Sequence, residues 1–307
     1  MSFYKFVPIS SPETTCKSIE RVCSKESTLG TVLVASEGIN AALGHFDREA
    51  LDRTLGAIRK IEDLVDIVPK WSETGKSSVA FDRLIVRPRN EIVSLGRQFD
   101  FRGIRPPRLS PEKWAQLIQE PDTNVLDVRN SYEIRLGHFR RAIDPDTQSF
   151  RQFERWAANA SAALRDKRTA LYCTGGIRCE KAAQTLAANG FSEIYQLDQG
   201  ILGYFASTAE RSLWHGECFV FDKRVSILPD LSQGTATQCH GCRRPLTERD
   251  RESEHYVPGV SCAACVGDLT SARREGLLER TRQIQFAKKH NLRHLGPSQH
   301  HGIPYES

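Results

Sequence analysis

The feature that most constrains the fold of this 307-residue chain is a strand that runs into a glycine loop and then a helix. The stretch is LYCTGGIRCEKAAQTLAANGF, residues 171–191, in which an apolar run ends at Cys173 and helix-like sequence follows Arg178. Residues 111–210 alternate predicted strands and helices, which is typical of βαβ units on a mainly parallel sheet. Because ligands bind beyond the carboxyl ends of parallel strands, Cys173 is predicted to lie at a binding site.

The loop after this strand has the composition of an anion-binding loop around a reactive thiol. Thr174, Gly175 and Gly176 allow a tight turn whose backbone N–H groups point inward. The following helix adds the positive end of its dipole, and Arg178 adds a permanent charge. Since all of these favour thiolate over thiol, Cys173 is predicted to be a nucleophile with a low pKa. The alternative is a small buried cysteine that happens to end a strand.

The remaining segments differ in composition, and the whole chain has the 39% hydrophobic and 26% charged residues of a globular protein. Residues 1–95 predict a small α+β sandwich with helices on one face of an antiparallel sheet. This prediction includes a strand in DIVPKW and a helix capped by Asp47. Residues 96–110, with a Pro-Pro pair and four arginines, predict a linker. Residues 211–295 form a Cys-rich and basic region, and residues 296–307 are expected to be a flexible tail.

The N-terminus and the apolar runs predict a cytoplasmic protein. The first residues have neither the apolar region nor the cleavage site of a signal peptide, and no apolar run is long enough to span a bilayer. In that compartment the nine cysteines are expected to be catalytic or metal-binding rather than disulfide-bonded. The sequence carries no indication of oligomeric state.

Two C-x₂-C pairs near the C-terminus have the spacing of a metal site. They are Cys239 with Cys242 and Cys262 with Cys265, separated by 19 residues. Four-thiolate zinc ribbons have a separation of about 15–20 residues. We therefore predict a structural Zn²⁺ ion that stabilises a region too small to fold alone. His240 and His255 are alternative ligands that we interpret as surface residues.

A basic segment follows these cysteines and holds much of the positive charge of the chain, whose net charge is +5. Between Ser271 and His294 two acidic residues accompany seven basic ones, which are Arg273, Arg274, Arg280, Arg282, Lys288, Lys289 and Arg293. A solvated helix face and a surface that contacts RNA phosphates are both compatible with this pattern.

Two separated motifs resemble the rhodanese family. CTGGIR is similar to its six-residue active-site loop, here Cys173, Thr174, Gly175, Gly176, Ile177 and Arg178. VLDVRNSYEIRLGHFRRAI resembles its upstream signature, through Asp127, Arg129, Glu133, Gly137 and His138. The resemblance implies a rhodanese-like α/β domain and a persulfide-forming Cys173. We interpret Asp127 and Arg129 as a buried pair that supports the loop. Cys179 stands where rhodaneses commonly have Ser. It either resolves a persulfide or takes part in redox chemistry, or it simply begins the helix.

A wider set of motifs resembles the rhodanese-domain tRNA uridine 5-hydroxylation family. The motifs are ASEGINAALG, FDRLIVRPRNEIV, YCTGGIRCEKA, LDQGIL and HGECFVFDKRV. The resemblance implies an acylphosphatase-like, ferredoxin-like N-terminal domain. It also implies an oxidoreductase that forms 5-hydroxyuridine at wobble position 34, with O₂ as co-substrate and the tRNA anticodon region as partner. Such chemistry usually calls for a flavin or a redox metal, and the sequence identifies no redox cofactor.

Two other functions remain open at the level of the sequence. A sulfurtransferase would pass sulfane sulfur from a Cys173 persulfide to cyanide or to a thiol acceptor. A non-catalytic module would present a zinc ribbon to RNA or protein, although the intact Cys173 loop argues against it. The flanking domains and the basic segment favour a tRNA-modifying enzyme.

Gly38 lies in the ASEGINAALG motif. It either serves a tight turn or lets the backbone approach a phosphate or base.

Overall fold

The fold is described from a computed structural model that places residues 1–73, 79–207 and 211–290. The predicted flexible tail, 296–307, and Arg293 lie outside these residues. No helix in the part of the chain so placed has the length and apolar character needed to cross a membrane. The elements of the N-terminal domain are β1 (Ser2–Phe6), α1 (Pro12–Lys25), β2 (Leu29–Ala35), β3 (Gly38–Gly44), α2 (Arg48–Ile58) and β4 (Leu84–Pro88).

The N-terminal domain is an α+β sandwich, as predicted. The prediction of an antiparallel sheet was wrong, because the sheet is mixed. The strand order is β1-β3-β2-β4, in which β3 is antiparallel to both neighbours and β4 is parallel to β2. A long connection that contains α2 leads into β4, so no hairpin fixes its direction. Apolar residues of α1 and α2, such as Ile19 and Leu55, pack with Val32 and Ile39 in one core. Asp47 caps α2 as predicted, because its carboxylate accepts from the backbone N–H groups of the first turn.

The predicted strand in DIVPKW is absent. Only Lys70 pairs there, through backbone hydrogen bonds with Ser2 in which the N–O distances are 2.7 and 2.8 Å. Pro69 has no N–H group to donate, so a continuous ladder cannot form through it. The isolated pairing still has a consequence, because it places Lys70 beside the edge strand β1.

The middle domain consists of β5 (Arg108–Leu109), α3 (Pro111–Leu117), β6 (Thr123–Asp127), α4 (Ser131–Ile134), β7 (Gly137–Phe139), β8 (Ala142–Ile143), α5 (Phe153–Ala158), α6 (Ala162–Arg165), β9 (Arg168–Tyr172), α7 (Ile177–Ala188), β10 (Ile194–Leu197) and α8 (Gly200–Ser207). Its main sheet has the order β5-β10-β9-β6-β8, and every pair is parallel, as predicted. The sheet places Cys173 at the carboxyl end of its central strand.

The segment predicted as a linker, 96–110, is packed against both domains. It supplies β5 to the sheet of the middle domain, and Phe99 within it is buried. Phe99 donates its backbone N–H to the Glu37 carboxylate at 2.7 Å. The segment is therefore part of the folded structure, although its arginine-rich composition is typical of a linker.

A buried ion triplet joins the two domains. The ammonium group of Lys181, on α7, lies 2.9 Å from a carboxylate oxygen of Glu37 and 2.6 Å from one of Glu91. The side chains of Lys181 and Glu37 are each 1% exposed. Glu37 also accepts from the backbone N–H of Ile92 at 2.9 Å. The turn of the ASEGIN motif is thus fastened to the helix that begins at the Cys173 loop.

The C-terminal region is built from short elements, which are β11 (Trp214–Gly216), β12 (Cys218–Phe219), β13 (Ser226–Ile227), β14 (Thr237–Gln238), β15 (Pro245–Leu246), α9 (Glu248–Arg251) and α10 (Ser271–Lys289). Strand β11 pairs with β7 of the middle domain, while β12–β13 and β14–β15 are antiparallel pairs. The pairing with β7 brings the segment that follows β12 close to the Cys173 loop.

Candidate active site

The Cys173 loop joins β9 to α7 and surrounds a buried thiol. Cys173 is 1% exposed, and the backbone N–H of Gly176 donates to its Sγ at 3.1 Å. Gly176 has a φ of 95°, in the left-handed region, where a side chain would be strained. One of the predicted inward-pointing N–H groups of the loop is therefore observed, that of Gly176, and it is directed at the sulfur.

The first turn of α8 fixes the loop from the opposite side. The backbone N–H groups of Ile201 and Leu202 donate to the carbonyls of Cys173 and Thr174 at 3.0 and 3.1 Å. Gly200 has a φ of 66°, and a Cβ there would lie 2.4 Å from the Cys173 carbonyl oxygen. These bonds orient the carbonyls of Cys173 and Thr174 towards α8, while the N–H of Gly176 is directed at the sulfur.

Arg178, predicted to add a permanent charge, is paired with a buried carboxylate. Its Nη1 and Nη2 atoms donate to the two carboxylate oxygens of Glu133 at 2.6 and 2.8 Å, and both side chains are buried. Nη2 also lies 3.4 Å from the hydroxyl oxygen of Thr174. Burial raises the pKa of Glu133, but the Arg178 charge outweighs burial and the net pKa is lowered. The pair holds the guanidinium group in one place beside the loop.

Cys173 is acidic despite its burial. Burial by itself raises its pKa, while a hydrogen bond from Cys179, the charge of Arg178 and the backbone N–H groups of Arg178 and Gly176 lower it. The net effect lowers the pKa of Cys173 to about 6. The thiol is therefore largely ionised at neutral pH, as a nucleophile requires.

Cys179 is buried at the start of α7 and stays protonated. Burial raises its pKa well above the ordinary value, and the hydrogen bond to Cys173 raises it further. A protonated thiol next to a thiolate can donate a hydrogen bond to it, which neither sequence interpretation had included.

Asp127 and Arg129 form a buried ion pair at the end of β6, next to Tyr172 of β9. The Nε and Nη2 atoms of Arg129 donate to the carboxylate oxygens of Asp127 at 2.9 and 2.6 Å. Arg129 also donates to the Gly137 carbonyl at 2.7 Å, and its guanidinium carbon lies 5.4 Å from the centre of the Trp214 ring. The pair ties the end of β6 to β7 and β11.

The N-terminal domain reaches the loop, which the sequence gave no reason to expect. The hydroxyl of Tyr4, on β1, donates to Glu180 of α7 at 3.2 Å. Arg108 of β5 donates to the same carboxylate at 2.6 Å. The Tyr4 hydroxyl is also 3.0 Å from the position that a Cβ on Gly176 would occupy. The ammonium group of Lys70 lies 5.0 Å from the centre of the Tyr4 ring.

The C-terminal region contributes an exposed aromatic ring near the loop. Phe221 is 63% exposed, and its ring centre lies 5.9 Å from the guanidinium carbon of Arg178. An edge contact with Phe219, whose ring centre is 4.9 Å away, supports the ring from below. Glu133 was named in the upstream signature, but without its pairing to Arg178. Phe221 lay inside a quoted motif, and no spacing rule singled it out.

The four C-terminal cysteines form the predicted cluster. Their sulfur atoms all lie within 4.8 Å of one another, in the set Cys239, Cys242, Cys262 and Cys265. Three sulfur pairs are separated by 3.7, 3.8 and 3.9 Å. Tetrahedral zinc with bonds of about 2.3 Å requires sulfur separations of about 3.8 Å. A Cβ on Gly241 would lie 2.4 Å from the Val260 carbonyl oxygen, so the first turn requires glycine. The cluster could hold a metal ion.

The predicted basic helix is α10. Leu277 and Ala287 are its buried residues, and Thr281 packs against Gly259 of the cysteine unit. Its exposed basic residues are Arg273, Arg274, Arg282, Lys288 and Lys289, while Arg280 is half-buried. The helix therefore presents a row of cations to solvent on the outside of the molecule.

Two family models match the chain. One is described as the UPF0176 acylphosphatase like domain and covers residues 1–92, and the other as the rhodanese-like domain and covers residues 110–207. Together with the Cys173 loop, these matches define a rhodanese-domain protein that carries an acylphosphatase-like N-terminal domain.

Proteins that are similar to this chain over nearly its full length identify its family within this class. The tRNA uridine(34) hydroxylase of Gluconobacter oxydans (strain 621H) is 40% identical over 305 residues, which are 97% of this chain and 96% of the relative. That of Sinorhizobium medicae (strain WSM419) is 40% identical over 298 residues, 96% and 92% of the two chains. This chain belongs to the tRNA uridine(34) hydroxylase family, which confirms the resemblance noted in its sequence.

Proposed function

We propose that this protein is an oxidoreductase that converts uridine 34 of tRNA to 5-hydroxyuridine in the cytoplasm, with O₂ as co-substrate. The observation that carries the proposal is an intact, acidic Cys173 in a chain that is 40% identical over nearly its full length to tRNA uridine(34) hydroxylases. The acylphosphatase-like domain and the C-terminal region flank the loop, as a macromolecular substrate requires.

Cys173 is proposed to activate the uracil base. Hydroxylation replaces C5–H by C5–OH, so one atom of O₂ enters the base and the other leaves as water with two electrons from a donor. Carbon 6 of uracil is the electron-poor carbon of the C5–C6 double bond, and C5 by itself is only weakly nucleophilic. Addition of a thiolate to C6 places negative charge on C5 and O4, which activates C5 towards oxygen. The Cys173 thiolate would form this C6–S bond and would leave again once C5 carries oxygen.

The other loop residues are proposed to serve the thiolate. Arg178 and the N–H of Gly176 stabilise the anion, with Thr174, Gly175 and Ile177 completing the loop, and Cys179 donates a hydrogen bond. Asp127 and Arg129 are proposed as positioning residues, because they form a buried ion pair and Asp127 pairs with Tyr172, the residue before Cys173.

Phe221 is proposed to stack on a base of the anticodon loop. Single-stranded RNA is recognised largely through stacking of splayed bases on aromatic and Arg side chains. An aromatic ring that is 63% exposed and lies next to Arg178 is suited to this contact.

The test of the function is mass spectrometry of tRNA nucleosides from a deletion strain that is complemented with wild type or with Cys173→Ser. We expect 5-hydroxyuridine and its derivatives to fall on deletion and to return only with wild type. Return with Cys173→Ser would contradict the role of the thiol. Unchanged nucleosides on deletion, in a strain without a parallel pathway, would contradict the function.

A sulfurtransferase is the second candidate, and the loop favours it specifically. A sulfane sulfur on Cys173 would be anionic and would accept from the same N–H groups. A thiosulfate–cyanide assay distinguishes the two, since sulfur transfer by the purified chain with unchanged tRNA nucleosides would favour this candidate over hydroxylation.

We further propose that α10 binds tRNA phosphates and that the four cysteines hold a structural Zn²⁺ ion. Replacing Arg273, Arg274, Lys288 and Lys289 by Gln should weaken tRNA binding and flatten its salt dependence, by about 0.7–0.9 in slope per lost contact. Alkylation of Cys173 should not change. Gln at the exposed Lys17 and Arg21 of α1 is the matched control. A slope equal to that of wild type would contradict the proposal for α10.

A further inference from the structure

Lys70 lies where the N-terminal domain meets the Cys173 loop. Its backbone pairing with Ser2 places it beside β1, and its ammonium nitrogen lies 5.0 Å from the centre of the Tyr4 ring. The Tyr4 hydroxyl in turn sits against Gly176 and Glu180. Lys70 is therefore one side chain away from the catalytic loop, although it belongs to another domain.

Among the described residues, the charged groups that face Lys70 include no anion in hydrogen-bond contact with its ammonium group. Cys173, Asp198 and Glu180 act on it as negative groups, and Arg108 acts as a positive one. Arg108 already pairs with Glu180 at 2.6 Å. Within residues 1–73, 79–207 and 211–290, no oxygen or sulfur atom accepts a hydrogen bond from the Lys70 ammonium group.

A half-buried cation whose one close contact is the face of an aromatic ring is costly unless an anion joins it. Burial, the largest influence, lowers the pKa of Lys70 to about 8, which reflects this cost. The Cys173 thiolate attracts the Lys70 ammonium group through space, but among the described residues no hydrogen bond joins the ammonium group to the sulfur, which accepts instead from the backbone N–H groups of Gly176 and Arg178. An anion from the substrate remains, and RNA supplies one at every nucleotide.

We propose that Lys70 is a substrate-binding residue whose ammonium group binds the phosphodiester beside the target uridine when the base enters the Cys173 loop. The inference rests on the proposed tRNA function and deepens it. It makes the active site composite, since the acylphosphatase-like domain supplies the phosphate contact and the rhodanese-like domain supplies the thiolate.

The experiment measures binding of an anticodon stem-loop RNA with uridine at position 34 to the full chain, by fluorescence anisotropy across a salt series. Wild type, Lys70→Gln, Lys70→Arg and the control Lys60→Gln are compared; Lys60 is exposed on the same domain. We expect Lys70→Gln to weaken binding about tenfold at low salt, the worth of one charge-assisted hydrogen bond. It should also reduce the salt slope by about 0.7. Lys70→Arg and Lys60→Gln should bind like wild type.

The pH dependence of RNA binding distinguishes a phosphate contact by Lys70 from a merely structural role, because a structural role would not make RNA affinity depend on the charge of Lys70. Lys70 loses its charge above its pKa, so wild type at pH 9.5 should bind about as weakly as Lys70→Gln. Lys70→Arg keeps its charge and should then bind about tenfold more tightly than wild type. This comparison needs only wild type and Lys70→Arg, so it holds even where Lys70→Gln fails to fold.

Two results separate this inference from the function on which it rests. Equal affinity and equal salt slope for wild type and Lys70→Gln, with 5-hydroxyuridine still formed by wild type, would overturn the role of Lys70 alone. Failure of wild type to bind the RNA and to alter tRNA nucleosides would overturn the function, and the inference with it.

Discussion

At the scale of the residue, the site depends on a buried thiol that is nevertheless ionised. Desolvation opposes the charge on Cys173, and the loop overcomes this with several short-range donors. Each donor acts over a few ångströms, so the loss of any one should be measurable as a shift of the pKa.

Cys179 offers the cleanest test of this balance. Cys179→Ala removes the donor and should raise the pKa of Cys173 by about one unit, which corresponds to about 1.4 kcal/mol. Cys179→Ser retains a donor and should leave the pKa near 6. The measurement is the pH dependence of iodoacetamide alkylation at Cys173, followed by peptide mass spectrometry. Matching profiles for Ala and Ser would show that the hydrogen bond is unimportant.

Phe221 tests the contact with RNA. Phe221→Ala should weaken binding of the anticodon stem-loop by about 1–3 kcal/mol, the usual worth of one base stacked on an aromatic ring. The salt slope should stay the same, because no charge is lost. Phe46, which is 53% exposed on the N-terminal domain, provides the control Phe46→Ala. An effect of similar size in both variants would rule out a specific contact.

At the scale of the element, the Cys173 loop is shaped by how closely α8 approaches it. Gly200→Ala forces a Cβ to within 2.4 Å of the Cys173 carbonyl oxygen, in a left-handed conformation. Gly175 has open space around the corresponding position. We expect Gly200→Ala to destabilise the protein by about 2 kcal/mol or more, a fall of several degrees in Tm, with Gly175→Ala near wild type. Calorimetry checks this, and equal melting temperatures would contradict it.

The cysteine cluster is an element that a metal ion would hold together. Elemental analysis of the purified chain should find about one zinc per molecule, and Cys239→Ser or a chelator should remove it. The β14–β15 unit should then unfold, and α10, which packs against that unit through Thr281, should lose helical structure, which far-ultraviolet circular dichroism detects. A zinc-free chain with an unchanged spectrum would show that packing alone suffices.

At the scale of the whole molecule, the buried Lys181 joins the two larger domains through its ion pairs with Glu37 and Glu91. Lys181→Met leaves Glu37 and Glu91 buried together without a cation, which should destabilise the protein by about 3–5 kcal/mol. Lys167, which makes an exposed pair with Asp122, provides the control Lys167→Met, with an expected cost below about 1 kcal/mol. Denaturant unfolding measures both values, and equal costs would contradict the proposed role of Lys181.

Domain docking also decides which residues surround the thiol. Tyr4 and Glu180 form a hydrogen bond although they are 176 residues apart in sequence. Lys70 is placed by an isolated backbone pairing with Ser2 where a full strand was expected. Neither Tyr4 nor Lys70 lies in a sequence pattern that would identify it as a neighbour of Cys173.

The sequence by itself determined the parallel sheet of the middle domain, the position of Cys173 at the end of a strand, and the grouping of four cysteines. These features follow from local patterns, since strand alternation, glycine turns and C-x₂-C pairs act within a few residues. Only the tertiary structure decided that Glu133 holds Arg178, that β4 is parallel to β2, and that Tyr4 of the N-terminal domain lies against the Cys173 loop. Those outcomes depend on packing between distant segments, where burial, rather than local propensity, selects the partner.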